Sequence, residues 1–127
     1  MTVTEQKWVD QAYYDLDTAR AMLDSSRYMY VLFCCQQAVE KALKAKIVNL
    51  TGGSPPRIHN LAKLAEKAGI ALNTERILLC RELSAYYVKT RYPEEIQAMS
   101  SSLTREVASD YFKKTEGILQ WLFSTPK

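Results

Sequence analysis

The stretch that decides the fold runs from Cys34 to Ala45 and reads CCQQAVEKALKA. Residues three and four apart share one face of a helix, and at this spacing an apolar stripe crosses the stretch with one polar interruption, at Gln36. A second stripe beside it is mostly polar. The apolar stripe comprises Leu32, Val39, Leu43, Ile47 and Leu50, and the polar stripe comprises Phe33, Gln37, Glu40 and Lys44.

The polar side chains of this helix have two interpretations. A buried amide must find hydrogen-bond partners, so Gln36 and Gln37 could tie neighbouring helices together while Glu40 pairs with Lys44 one turn later. Alternatively, the same side chains line a cleft or a subunit interface. In both interpretations Gln36, Gln37 and Glu40 form a polar seam beside the buried face, and we use that name for these three residues below.

Length and composition predict a single domain over residues 1–127. Hydrophobic residues make up 47% of the chain and charged residues 24%, which is ordinary for a globular protein. Only 4 glycines and 4 prolines are present, which argues against a sandwich or barrel with many tight turns. The N-terminus carries Glu5, Lys7 and Asp10, and no apolar run is as long as a membrane span. We therefore expect no signal peptide, no membrane contact and a cytoplasmic location.

Neither the charge nor the cysteines indicate a specific site. The net charge of +3 is only mildly basic, and the lysine and arginine clusters are typical of a solvated surface. Cys34, Cys35 and Cys80 lack the spacing of metal ligands, and the chain has one histidine. We therefore predict no metal and no cofactor, and free buried thiols in a reducing compartment.

Hydrophobic periodicity predicts an all-α, up-and-down bundle of four main helices and one short helix. Asn60 and Thr74 are suitable N-caps, while Gly52 and Gly69 suit the left-handed position after a helix. The segment 94–102 contains three serines in a row and is predicted mainly as a mobile connection, although Glu94–Met99 could make a helical turn. The predicted helices cover residues 4–24, 27–51, 61–68, 75–89 and 103–123.

Outside the long second helix, a histidine, an arginine and three tyrosines could carry chemistry. His59 is the only histidine, and histidine is the side chain suited to proton transfer near neutral pH. Arg91 could hold a phosphate with two parallel hydrogen bonds, and Tyr86, Tyr87 and Tyr92 could stack on bases. Each also has a structural interpretation. His59 could bond to the second helix, Arg91 could form a surface salt bridge, and the tyrosines could pack within the bundle, which is the stronger interpretation for Tyr86 and Tyr87.

Several segments, taken in order, resemble the HEPN domain family. They are Glu40–Ala45, the Pro55-Pro56 pair followed by His59-Asn60-Leu61, and Tyr87 followed by Arg91-Tyr92-Pro93. The resemblance runs from about residue 5 to residue 123 and also includes Trp8, Ala12, Asp15, Leu16 and Ala19. It implies a bundle of four or five helices, a homodimer with a cleft between protomers, and an association with nucleotides or RNA. It also implies a minimal nucleotidyltransferase as a partner, in a toxin–antitoxin-like pair.

The chain departs from the catalytic motif of that family. Many members that this chain resembles are metal-independent ribonucleases with an Arg-x4–6-His motif. Relative to His59, the motif requires an arginine at position 52, 53 or 54, where this chain has glycine, glycine and serine. Arg57 is too close, and Arg81 is followed by Tyr86 and Tyr87 rather than by a histidine. Because tyrosine is a poor general base at neutral pH, enzymatic activity stays undecided and a non-catalytic role is favoured.

Three functions follow from these residues and from the resemblance. The first is a binding module in which a cationic cleft holds a nucleotide or an RNA phosphate. The second is a homodimeric interaction module that masks a partner nucleotidyltransferase. The third is a divergent ribonuclease with His59 as base and Arg91 as phosphate clamp. The residues predicted to line the cleft are Lys41, Lys44, His59, Arg91 and Tyr92.

Overall fold

Six helices form all the regular secondary structure of residues 2–124, the part of the chain that this computed structural model describes. The all-α prediction is confirmed, but the predicted count of four main helices and one short helix is wrong by one. No helix in this range is both long enough and apolar enough to cross a membrane. The helices are α1 (Val3–Asp24), α2 (Tyr28–Thr51), α3 (Leu61–Lys67), α4 (Thr74–Lys89), α5 (Pro93–Ser102) and α6 (Arg105–Ser124).

The additional helix is α5, in the segment predicted mainly as a mobile connection. Pro93 begins it with a backbone angle already suited to the first helical turn. Glu94 and Glu95 follow, where the helix dipole favours acidic side chains. Met99 is buried and anchors the helix to the core. The three serines that suggested a loop donate their hydroxyl hydrogens to backbone carbonyls three or four residues earlier, which is compatible with a helix.

The central helix is α2, because every other helix contacts it. Leu32, Val39 and Leu43 of the predicted apolar stripe are almost completely buried, as is the polar Gln36 among them. Leu50 lies in the last turn of α2 and is 62% exposed, so the predicted stripe leaves the core after Ile47.

Helices α1 and α2 run antiparallel and pack closely. Near one end, Asn49 Nδ2 donates a hydrogen bond of 3.1 Å to Glu5 Oε1. Further along, Lys41 Nζ lies 2.6 Å from Asp15 Oδ2, so the start of α1 lies beside the end of α2. Two fully buried alanines of α1, Ala12 and Ala19, present little side-chain volume and allow this close approach.

Asparagines cap the N-termini of α3 and α4. Asn60 caps α3 as predicted, because its Oδ1 accepts a hydrogen bond of 3.0 Å from the backbone N–H of Lys63. The predicted cap of α4, Thr74, is instead its first helical residue. The cap is Asn73, whose side chain accepts from the backbone N–H of Arg76 at 2.9 Å. Asparagine is the stronger N-cap of the two residue types.

Candidate functional site

The candidate site is organised by the carboxylate of Glu40, whose side chain is only 6% exposed. Its Oε1 accepts a hydrogen bond of 3.1 Å from Gln36 Nε2 and lies 2.9 Å from His59 Nδ1. Its Oε2 accepts from Lys44 Nζ at 3.1 Å, which confirms the ion pair predicted from spacing. A buried carboxylate is costly unless it is paired and hydrogen-bonded, and Glu40 has partners on both oxygens.

Two contacts fasten His59 to α2. Its backbone carbonyl accepts a hydrogen bond of 3.0 Å from Gln36 Nε2, and its ring Nδ1 lies against Glu40. Because an ionised carboxylate can only accept, this contact places the proton on Nδ1. In the neutral ring Nε2 then carries the lone pair, and in the protonated ring Nε2 is a donor. The His59 side chain is 49% exposed, so the imidazole is held at the surface in one orientation.

The third residue of the seam, Gln37, extends the network toward the surface. Its Nε2 donates a hydrogen bond of 2.8 Å to Gln36 Oε1, while Gln36 Nε2 is shared between Glu40 and His59. Gln36 therefore ties α2 to the loop before α3, which is one of the two interpretations of the sequence. The backbone N–H of Leu61 also donates to Ser84 Oγ at 3.3 Å, which ties the start of α3 to α4.

Two half-buried aromatic rings, Phe33 from α2 and Tyr87 from α4, form an aromatic ledge beside His59. Their ring centroids lie 5.5 Å apart with an interplanar angle of 23°, so the rings are stacked. The His59 ring lies 5.4 Å from the Tyr87 ring. The guanidinium of Arg91 lies 5.2 Å from the centroid of the same tyrosine. Tyr87 thus has a histidine and an arginine as neighbours at the protein surface.

The structure places the predicted cleft residues in different environments. Lys44 and His59 meet on Glu40, and His59 and Arg91 meet on Tyr87. Lys44 itself is buried and lies 5.8 Å from the ring of Trp8 on α1. Two further residues lie apart from this group. Lys41 is bonded to Asp15 on α1, and Tyr92, at the N-cap of α5, is 53% exposed.

Sequence reasoning does not identify the aromatic ledge as a unit. Helical spacing groups Phe33 with the polar stripe of α2, and packing within the bundle is the main expectation for Tyr87. A signal is nevertheless present, because Phe33 and Gln37 are one turn apart on α2 while Ser84 and Tyr87 share a face of α4. That pattern places both rings beside the loop that carries His59. The contact between Phe33 and Tyr87 joins distant segments of the chain, however, so helical spacing alone does not predict it.

The thiols are poor candidates for chemistry at this or another site. Burial raises the pKa of Cys34 and of Cys80 to about 11, and that of Cys35 to about 12. All three are therefore protonated near neutral pH, and the thiol is a much weaker nucleophile than the thiolate. Among residues 2–124, no three His, Cys, Asp or Glu side chains are grouped as the ligands of a metal ion would be.

A family model for the HEPN domain matches residues 5–125. The chain belongs to the HEPN family. The fold of this HEPN domain also matches the crystal structure of TT1696 from Thermus thermophilus, with a TM-score of 0.80 and 24% sequence identity. The match covers 97% of this chain and 98% of that one, so the two share a fold over nearly their whole length. No curated protein sequence matches this chain.

This HEPN domain brings together a histidine and an arginine that the sequence separates. The loop before α3 carries His59, and the link between α4 and α5 carries Arg91, with the histidine first in the chain. The two residues become neighbours only through the ring of Tyr87. The spacing of a linear Arg-x4–6-His motif could not have revealed this pair.

Proposed function

We propose that this HEPN domain is a binding module for a nucleotide or for single-stranded RNA, at the surface formed by His59, Tyr87 and Arg91. The observation that supports it is the placement of His59 and Arg91 against one half-buried aromatic residue. Stacking on an aromatic ring together with cations for the phosphate is how proteins hold single-stranded nucleic acid with little sequence preference.

Each group of the site has a role in this proposal. The guanidinium of Arg91 offers two parallel donors to phosphate oxygens, and protonated His59 offers one more from Nε2. The aromatic ledge supplies the face on which a base stacks, and the exposed Tyr92 follows Arg91 in the chain at the N-cap of α5. Buried Lys44 acts through Glu40, whose position it fixes, and Lys41 adds positive charge at longer range. Metal and cofactor have no part in this binding mode.

The proposal is tested by titrating a short fluorescent oligoribonucleotide into the protein at several salt concentrations. Arg91→Ala and His59→Ala are each expected to weaken binding about 10-fold, and to reduce the slope of log affinity against log salt because a phosphate contact is lost. Lys113→Ala on α6 removes the same charge from an exposed position far along the chain and serves as the control. Equal affinities for Arg91→Ala and Lys113→Ala would contradict the proposal.

The wider role that we propose follows from the family. The module would work with a minimal nucleotidyltransferase in a toxin–antitoxin-like pair in the cytoplasm, as a homodimer. In the alternative role, the domain masks that enzyme through protein contacts and binds no nucleotide. Inspection of the adjacent open reading frames and copurification with any encoded nucleotidyltransferase test both roles. A stable complex without nucleotide affinity would favour the masking role.

One observation favours a second candidate function, metal-independent RNA cleavage. Glu40 holds His59 Nδ1, so that Nε2 of the neutral ring could accept the proton of a ribose 2′-hydroxyl. The 2′-oxygen would then attack the adjacent phosphorus to form a 2′,3′-cyclic phosphate, the 5′-oxygen would leave with a proton taken from water, and Arg91 would stabilise the phosphate charge. Cleavage of a small RNA that is lost in both His59→Ala and Arg91→Ala would support this function, and cleavage that persists in His59→Ala would exclude it.

A further inference from the structure

A small surface cleft lies where the end of α6 meets α2 and the loop between α3 and α4. It is lined by Lys46 of α2, by Ile70 and Ala71 of the loop, and by Trp121 and Leu122 of α6. The volume of the cleft is about 200 Å³. An engineered apolar cavity of about 150 Å³ holds one benzene molecule. The cleft therefore has room for one aromatic ring and a short side arm.

The apolar walls of the cleft are held in place by the fold. Leu122 is buried, and Ile70 packs partly buried against the same core. Gly69, just after α3, has the left-handed φ of 69° that ends a helix. The backbone N–H of Ile70 then donates a hydrogen bond of 3.0 Å back to the carbonyl of Ala65. The loop is thus fastened to α3 and keeps its place beside α6.

A tryptophan with a fixed ring forms another wall of the cleft. Trp121 is partly buried against the core, and the guanidinium of Arg76 on α4 lies 4.0 Å from the centroid of its ring. A guanidinium at this distance stacks on the indole and holds its orientation. An indole offers a large apolar face, and aromatic groups pack well on it. The cleft therefore presents a positioned aromatic surface to a ligand.

The charged side chain that lines the cleft is a lysine. Lys46 is half-buried, and its Nζ lies 5.5 Å from the ring of Phe123. No ion pair within residues 2–124 engages Lys46 or Arg76, and none of the residues that line the cleft is acidic. The carbonyls at the end of α6 supply only about half a negative charge. A ligand with one negative charge therefore complements this cleft.

We propose that this cleft binds a small aromatic monocarboxylate. The ring of the ligand packs against Ile70, Trp121 and Leu122, and its carboxylate pairs with Lys46. A phosphate ester is disfavoured, because the apolar walls leave most of its charged oxygens without partners. The cleft shares no residue with the proposed nucleotide site, so this inference does not rest on the proposed function.

The first test compares three ligands that share one apolar body: hydrocinnamate, the corresponding alcohol and the corresponding amine. Each is titrated into the full chain, and the NMR signals of the two indole N–H groups are followed. Hydrocinnamate should shift the signal of Trp121 with a dissociation constant on the order of 1 mM. The signal of Trp8, which lies outside the cleft on α1, should stay in place.

The other two ligands measure the contribution of the charge. The alcohol should bind about 10-fold more weakly than hydrocinnamate, because a charge-assisted hydrogen bond is lost. The amine should give no saturable shift, since its cation is repelled by Lys46. Equal affinities for hydrocinnamate and the alcohol, or no saturable shift of the Trp121 signal with hydrocinnamate, would overturn the proposal.

The second test changes the cleft. Lys46→Met removes the charge and keeps an apolar stem, so it should weaken hydrocinnamate binding about 10-fold and leave the alcohol unaffected. Lys113→Met, the same exchange at an exposed position of α6, is the control and should bind like the wild type.

A further variant fills the cleft from its rim. Ala71 is exposed, so Ala71→Phe places a ring in the cleft without entering the core, and it should abolish binding of both hydrocinnamate and the alcohol. Thermal melts establish that every variant is folded. Unchanged affinity in Ala71→Phe, or equal losses in Lys46→Met and Lys113→Met, would overturn the site, whatever the outcome of the RNA titrations.

Discussion

The two long sides of α2 hold charge in different ways. On one side, Glu40 is buried with Lys44 and reaches across to His59 in the loop before α3. On the side that faces α1, Lys41 pairs with Asp15 over 2.6 Å, and these side chains remain 22% and 17% exposed. The shorter ion pair is thus the more hydrated one.

The buried pair contacts the exposed ring of His59, whereas the hydrated pair joins two helices. Desolvation of a buried ion pair offsets most of its attraction, so burial of Glu40 and Lys44 contributes little net stability. What the buried pair does is hold the His59 ring in one orientation at the surface. The pair of Lys41 and Asp15 holds no third group, and its partial hydration lowers the cost of bringing the charges together.

The largest effect is expected from removing one buried charge and leaving the other. Glu40→Met should lower the free energy of unfolding by about 3–5 kcal/mol, because Lys44 stays buried without a counter-ion and Gln36 loses an acceptor. Urea denaturation measures this change. Glu66→Met, at an exposed position of α3, is the control and should stay within about 0.5 kcal/mol of the wild type. A loss below about 1 kcal/mol in Glu40→Met would remove the contrast between the two sides of α2.

The second prediction distinguishes the effect of the buried ion pair on stability from its effect on the orientation of His59. Glu40→Met combined with Lys44→Met should recover most of the lost stability and come within about 1–2 kcal/mol of the wild type, because two side chains of suitable volume replace the ion pair. Affinity for the oligoribonucleotide should stay as low as in the single variant, since His59 remains without its anchor. If affinity recovered together with stability, Glu40 would not be the residue that orients His59.

A smaller effect is expected on the side that faces α1. Lys41→Met should change the free energy of unfolding by less than about 1 kcal/mol, and added salt should reduce the difference further. Urea denaturation at low and high salt checks this. Lys44→Met, one turn away on the same helix, is the comparison and should cost clearly more, because Glu40 is then left buried without its lysine counter-ion. Equal losses of unfolding free energy in Lys41→Met and Lys44→Met would refute the distinction between the hydrated and the buried ion pair.

The predictable parts of the molecule are those set by local sequence. The Glu40–Lys44 pair and the Asn60 cap depend on residues within one turn, and both agree with the prediction from spacing. The contacts of Glu40 with His59 and of Lys41 with Asp15 join residues 19 and 26 positions apart, so helix spacing could not assign them. Helix α5 escapes prediction because serine-rich composition suggests a loop, whereas Met99 and the serine hydroxyl bonds favour a helix.

The smallest effect provides a chemical probe of the side that faces α1. The pKa of Cys34 is raised to about 11, mainly by burial and also by the charge of Asp15, whereas the charge of Lys41 lowers it. Alkylation by iodoacetamide requires the thiolate, so at pH 8 it should be slow and should accelerate as the pH rises. Asp15→Asn removes the raising charge, which should lower the pKa and increase the rate at Cys34 a few-fold.

Mass spectrometry of the alkylated protein reports each cysteine separately and supplies an internal control. Cys80 lies on α4, where burial alone raises its pKa, so its rate should not change in Asp15→Asn. Lys41→Met should have the opposite effect at Cys34, because the charge that lowers the pKa is removed. An equal increase in the alkylation rates of Cys34 and Cys80 would indicate that the whole bundle has loosened. A faster alkylation of Cys34 alone in Asp15→Asn, and a slower one in Lys41→Met, would establish that this ion pair acts only on its immediate surroundings. The contacts of Glu40, by contrast, extend to the surface.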